Sequence, residues 1–84
     1  MNKMLLKGEF LLTKGLLSLK NGDTGKVRLI QAGRTATKRL YEMGFNTGAP
    51  VKIIKNDSGP VIVYLNGNKI ALGRGLAEKI MLDI

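Results

Sequence analysis

Site chemistry needs nucleophilic, titratable or metal-ligating groups, and this chain lacks the usual ones. It contains neither His nor Cys. The commonest neutral metal ligand, the usual general base near neutral pH and the thiolate are therefore all missing. Its acids are Glu9, Asp23, Glu42, Asp57, Glu78 and Asp83, and no two of them lie close in sequence. Redox-active iron favours imidazole, thiolate or a carboxylate cluster of defined spacing, so the residues predict no high-affinity metal site. Asn56, Asp57 and Ser58 offer oxygens for a weak hard-cation loop, but an Asx turn accounts for them more simply. Ser18 and Ser58 have no His to activate them, and no lysine stands out as a nucleophile. The expectation is a protein that is not an enzyme and carries no cofactor.

Two glycine clusters, Gly73–Arg74–Gly75 and Asn21–Gly22–Asp23–Thr24–Gly25, suggest phosphate cradles at first sight. Neither continues into P-loop spacing with Lys-Ser/Thr, and neither stands between a strand and a long helix. Turns between strands explain both. Charge is the stronger signal. Fourteen Lys and Arg against six Asp and Glu give a formal net charge of +8. Such a balance suits an anionic partner (nucleic acid, a lipid surface or an acidic protein face), or serves solubility alone. The aromatics are Phe10, Tyr41, Phe45 and Tyr64, a poor supply of stacking platforms. Polyanions should bind weakly and with steep salt dependence, and no specific nucleic acid is expected. No apolar run reaches the roughly 18 residues of a membrane span, and Lys7, Glu9 and Lys14 interrupt any signal-peptide core. The reading is a cytoplasmic chain without membrane insertion.

The elements that hold these side chains follow from apolar spacing. Residues 35–45 carry the one convincing helix pattern: Ala36, Leu40 and Met43 share a face, while Lys38, Arg39 and Glu42 point away from it. Thr35 is placed to act as N-cap. Gly44 ends the helix in a left-handed conformation, and Phe45 folds back as its apolar contact. Strands are expected over 26–31 (Val27 and Leu29 on one face), 51–55 (Val51, Ile53), 61–65 (Val61, Val63, Leu65), 69–72 (Ile70, Leu72) and 80–84 (Ile80, Leu82, Ile84). Asn66–Gly67–Asn68 signals a tight hairpin, and residues 76–79 allow one helical turn. Residues 21–25 and 56–60 read as turns. The chain of 84 residues is one small domain that no disulfide reinforces. Residues 1–14 read as an N-terminal apolar extension folded over the core as a flap, and 15–84 as the domain proper. Five short strands with one inserted helix fit a mainly β fold, a strongly bent antiparallel barrel.

Three segments then carry a resemblance. Leu17–Ser18–Leu19 leads to Gly22–Asp23–Thr24–Gly25–Lys26–Val27–Arg28–Leu29–Ile30. The helix and its exit read Lys-Arg-Leu-Tyr-Glu-Met-Gly-Phe-Asn-Thr-Gly-Ala-Pro-Val over 38–51, and the end reads Gly-Asn-Lys-Ile-Ala-Leu-Gly-Arg-Gly-Leu-Ala-Glu-Lys-Ile over 67–80. In this order, over about residues 16–84, the chain resembles the ferrous iron transport protein A (FeoA) family. Arg39-Leu-x-Glu-Met-Gly-Phe45 with Gly48 and Val51 is the more specific part. Gly73–Arg74–Gly75 departs from a denser charged run in the family, and residues 1–14 exceed its minimal domain.

The resemblance implies an SH3-like antiparallel barrel of about five strands with one inserted helix. It also implies a cytosolic accessory or regulatory protein of ferrous iron uptake, docking on the cytosolic part of a FeoB-type GTPase membrane transporter. Fe2+ would then be linked to this chain through the partner. Similar modules form the C-terminal domain of metal-dependent repressors. From the residues alone, Arg28, Arg34, Lys38 and Arg39 are either a solvated surface, with Lys38 and Glu42 a weak i, i+4 pair, or a docking face. The resemblance favours docking, with Arg34, Lys38, Arg39, Glu42 and Tyr41 at the partner site and Arg74 as a second point of suspicion. The competing readings are a small basic barrel binding nucleic acid and a stand-alone transition-metal-responsive module. A homo-oligomer is compatible with the sequence.

Overall fold

The computed structural model of the chain describes residues 13–84, so the flap expected over residues 1–14 lies outside them except for Thr13 and Lys14, which belong to a strand instead. Six strands pair antiparallel in one sheet: β1 (Thr13–Gly15), β2 (Thr24–Ile30), β3 (Pro50–Lys55), β4 (Val61–Leu65), β5 (Asn68–Leu72) and β6 (Ile80–Asp83). Their order across the sheet is β1-β6-β2-β3-β4-β5. The fold is mainly β, as expected, with one more strand than the five read from the sequence. The addition is β1, whose Thr13 lies opposite Asp83 and whose Gly15 lies opposite Met81. Three residues with a terminal glycine show no alternation of their own; pairing with β6 makes them a strand.

A helix, α1 (Arg34–Met43), fills the connection from β2 to β3. A 3-10 turn (Leu16–Ser18) follows β1, and a one-turn helix, α2 (Arg74–Ala77), links β5 to β6. The core is wholly apolar among the described residues. Leu16 and Leu19 come from the segment after β1; Val51, Ile53, Val61, Val63, Leu65, Leu72, Ile80 and Leu82 line the inner face; Leu40 and Ala77 come from the helices and Phe45 from the turn after α1. Fully burying each of the large side chains contributes about 1.5–3 kcal/mol. The reversal after β4 is the expected tight hairpin, with φ 52° at Asn66 and 83° at Gly67, the positive pair that a type I′ turn requires.

Three expectations need correction, two on the inner face and one at a turn. Leu29 does not share a face with Val27. The register against β6 slips between them, with Val27 opposite Leu82 and Leu29 opposite Met81. One residue of β2 is thereby left unmatched, and the alternation changes phase. Val27 is buried, Leu29 is 40% exposed, and Ile30 packs on the core instead. Ile84, in step with Ile80 and Leu82, lies beyond the last strand residue and is 47% exposed. Finally, Thr24–Gly25 opens β2 and makes no turn. A Cβ on Gly25 would stand 2.7 Å from the Asp83 carbonyl oxygen and 3.3 Å from the Leu82 Cβ. The close approach of β6 requires glycine there.

Candidate docking face

α1 is fixed at its C-terminal end by local geometry. Gly44 has φ 109°, and its N–H donates to the Tyr41 carbonyl at 2.9 Å, while the Phe45 N–H donates to the Leu40 carbonyl at 3.0 Å. These are the two bonds of a Schellman stop, and its apolar contact is Phe45 against Leu40, both fully buried. The exit continues onto the sheet, where the Val27 N–H donates to the Ala49 carbonyl (2.9 Å) and the Gly48 N–H to the Val27 carbonyl (2.7 Å). At the other end the expected cap is absent. Thr35 lies inside the first turn, the N-cap is Gly33 in an extended conformation, and no side chain caps the helix. The Thr37 hydroxyl donates to the Ala32 carbonyl at 3.2 Å, which holds the lead-in segment against the helix.

With Leu40 buried and Ala36 and Met43 half-buried, about 100° per residue determines what faces outward. Arg34, Thr37, Lys38, Tyr41 and Glu42 line one shallow concavity on that side. Tyr41 is 45% exposed among them. Arg39, one residue from Lys38, is exposed on the flank of α1 and does not line the concavity. No ion pair within 4.0 Å joins Lys38 to Glu42; Arg28 to Asp83 is the one such pair among the described residues. The placement of charge opposes the helix macrodipole. The first turn has no acid and the last turn no base, whereas Arg34 opens the helix and Glu42 stands next to its end. Each costs a few tenths of a kcal/mol, so helix stability does not account for them.

The other two basic candidates lie elsewhere. Arg28 does not join the helix face. Its Nη1 donates to the Asp83 carboxylate at 3.2 and 3.3 Å, across to β6. Arg74 donates from Nη1 to the carbonyls of Asp57 (2.9 Å) and Gly59 (3.2 Å), clasping the loop between β3 and β4. That loop holds a residue whose role the sequence reading missed. Asn56 Nδ2 donates to the carbonyls of Leu17 (3.0 Å) and Leu19 (2.8 Å), and its backbone N–H donates to Asn21 Oδ1 at 2.8 Å. Asn56 Oδ1 is buried with no hydrogen-bond partner among the described residues. Only a partner far along the chain distinguishes Asn56 from an ordinary turn residue, and the sequence carries no mark of it.

Among the described residues no three His, Cys, Asp or Glu side chains gather to hold a metal ion, and no helix is long and apolar enough to cross a membrane. Comparison with known proteins gives consistent results. A protein of Methanocaldococcus jannaschii carrying the name Fe(2+) transport protein A is 48% identical over 64 residues, covering 76% of this chain and 78% of that protein. The crystal structure of an iron uptake regulatory protein, FeoA, superposes with a TM-score of 0.80 at 32% identity over 84% of this chain and 96% of that one. The zinc complex of FeoA from Stenotrophomonas maltophilia, described as a procaryotic SH3 domain protein, matches at TM-score 0.72 and 24% identity over 81% and 87% of the two chains. This last likeness shows the fold alone. The FeoA domain model matches residues 14–84, and the chain belongs to the FeoA domain family, with the SH3-like fold of its members.

Proposed function

We propose that this chain is an accessory of ferrous iron uptake without chemistry of its own, acting in the cytosol by docking through the outer face of α1 on a FeoB-type GTPase transporter. The observation that carries the docking reading is Tyr41, 45% exposed and flanked by Arg34 and Lys38. Tyrosine supplies a large apolar contact with a polar tip, and arginine and tyrosine are enriched where interfaces concentrate their energy. Arg34 and Glu42 sit where the helix dipole disfavours them, which supports a role outside the helix. The names of the relatives supply the transport context. Fe2+ is the cargo, held on this reading by the transporter. The charge of +8 would steer approach to an acidic surface and raise the association rate.

The test pairs Tyr41→Ala with Lys38→Glu. Both residues are exposed, so each change should alter stability by less than about 0.5 kcal/mol and leave the melting curve nearly intact. Association with the transporter's cytosolic domain should weaken about tenfold or more, and iron uptake in cells should slow. Arg39→Glu, the same charge change on the flank, should weaken it less. A folded double variant that binds and supports uptake normally refutes this face as the partner site.

A further inference from the structure

A second surface, sharing no residue with the α1 face, lies across the outer side of β2, β3 and β4. It is a groove lined by Lys26, Pro50, Lys52, Tyr64, Asp83 and Ile84, among others. Strand register assembles it. Lys52 on β3 lies opposite Tyr64 on β4, and Tyr64 lies opposite Lys69 on β5. Directly opposed side chains on one face are contact neighbours, and the Lys69 Nζ stands 5.9 Å from the centroid of the Tyr64 ring. Lys26 lies opposite Pro50, beside this row. Two of the four large apolar side chains that are exposed among the described residues, Tyr64 (41%) and Ile84 (47%), border the groove.

Lys26 and Lys52 line it, and Lys69 stands beside the Tyr64 ring at its rim. Asp83 lines the groove, but its carboxylate accepts from Arg28 Nη1 and from the Thr13 hydroxyl at 3.0 Å. Lys26, Lys52 and Lys69 have no ion-pair partner within 4.0 Å among the described residues. The backbone of β3 is already paired on both sides, with β2 and β4. A ligand here must therefore be recognised through side chains and not by adding a strand.

We infer that this groove binds an acidic segment of a partner protein, in which a large apolar side chain seats between Tyr64 and Ile84 over Pro50. Carboxylates flanking it meet Lys26, Lys52 and Lys69. Charge complementarity sets the sign, and the apolar floor selects a protein segment over a polynucleotide, which wants a series of stacking aromatics where this groove has one. A second copy of this chain is disfavoured, because a two-fold contact through this face sets lysines against lysines. The groove shares no residue with the α1 face, so it binds such a segment whether or not α1 docks on a transporter.

Fluorescence anisotropy on the full chain tests it, with a labelled peptide of Asp and Glu residues around a central Leu-Phe pair at physiological salt. Saturable binding is expected. Lys52→Glu and Tyr64→Ala should each weaken it about tenfold or more, as should replacing Leu-Phe with Ser-Ser in the peptide. Lys20→Glu makes the same change in net charge at an exposed residue outside both the groove and the α1 face and should stay within about twofold, since salt screens distant exposed charges. Should Lys52→Glu melt early, Lys52→Gln and Lys69→Gln give the same reading with the fold intact. Four results overturn the proposal: no saturable binding, equal losses from Lys20→Glu and Lys52→Glu, tighter binding of an oligothymidylate of matched charge, or a dimer that Tyr64→Ala dissolves.

Discussion

Three glycine-to-alanine changes make the same chemical edit in different surroundings, and the structure assigns each a different outcome. At Gly25 the added methyl would stand 2.7 Å from a backbone oxygen of β6 and 3.3 Å from the Leu82 Cβ. Neither neighbour is the free end of a flexible side chain, so β2 and β6 must separate locally. Overpacking of this kind costs about 1–3 kcal/mol, against a gain of about 0.4–1 kcal/mol from the stiffer unfolded chain. The expected net is a loss of up to about 2.6 kcal/mol, centred near about 1.3 kcal/mol, which lowers the melting temperature by about 5–10 °C at about 4–8 °C per kcal/mol for a domain this size. At Gly44 the obstacle is conformational. Its φ of 109° strains any L side chain, and the methyl would also meet Leu65 Cδ2 at 3.2 Å, so a loss of about 1–3 kcal/mol is expected. Gly75 sits inside α2 with an ordinary φ and nothing within 4 Å of the new methyl. There alanine should stabilise by about 0.4–1 kcal/mol. Urea unfolding followed by far-UV circular dichroism reads all three as midpoint shifts at constant m. A Gly25→Ala midpoint at or above that of the parent would refute the close approach of β6. Equal losses at Gly25 and Gly75 would refute the reasoning that separates them.

Leu40→Ala, at the fully buried centre of α1, should cost about 2–5 kcal/mol by the same assay, enough to depopulate the fold and make any loss of binding in that variant uninformative. Asn56→Ala leaves the carbonyls of Leu17 and Leu19 without their donor and should cost about 1–3 kcal/mol. Asn56→Asp should cost more than alanine, because it turns an acceptor toward two acceptors; the reverse order of midpoints would contradict the assigned bonds. Anaerobic calorimetry of the isolated chain with Fe(II) should show no stoichiometric micromolar site, given its donor set. Finding one would contradict the proposal that the transporter alone holds the cargo.

What could be read in the sequence was whatever a few neighbouring residues decide. The Schellman stop at Gly44 and Phe45 and the hairpin at Asn66–Gly67 are such cases, and both appear where the residues place them. The N-cap failed on an equally local matter: Gly33 is extended without a side-chain cap, and it is the Thr37 hydroxyl that reaches back, to Ala32. Leu29 failed for a distant reason, since its face depends on where β6 pairs with β2, and no local pattern carries that register. The charged candidates divide in the same way. Helical spacing alone brings Lys38 and Tyr41 together, whereas Arg28 is drawn to a carboxylate 55 positions away and Arg74 to carbonyls 15 and 17 positions away. The groove around Tyr64 combines both kinds of information. The hairpin fixes Tyr64 against Lys69 locally, but Lys52 meets Tyr64 only through a β3–β4 register that shifts between Ile53 and Lys55. The loop that sets that register is held by Asn56 and Arg74. Loss of the Asn56 amide should therefore disturb the Lys52–Tyr64 pair while leaving the Tyr64–Lys69 pair, whose turn is self-contained, in place.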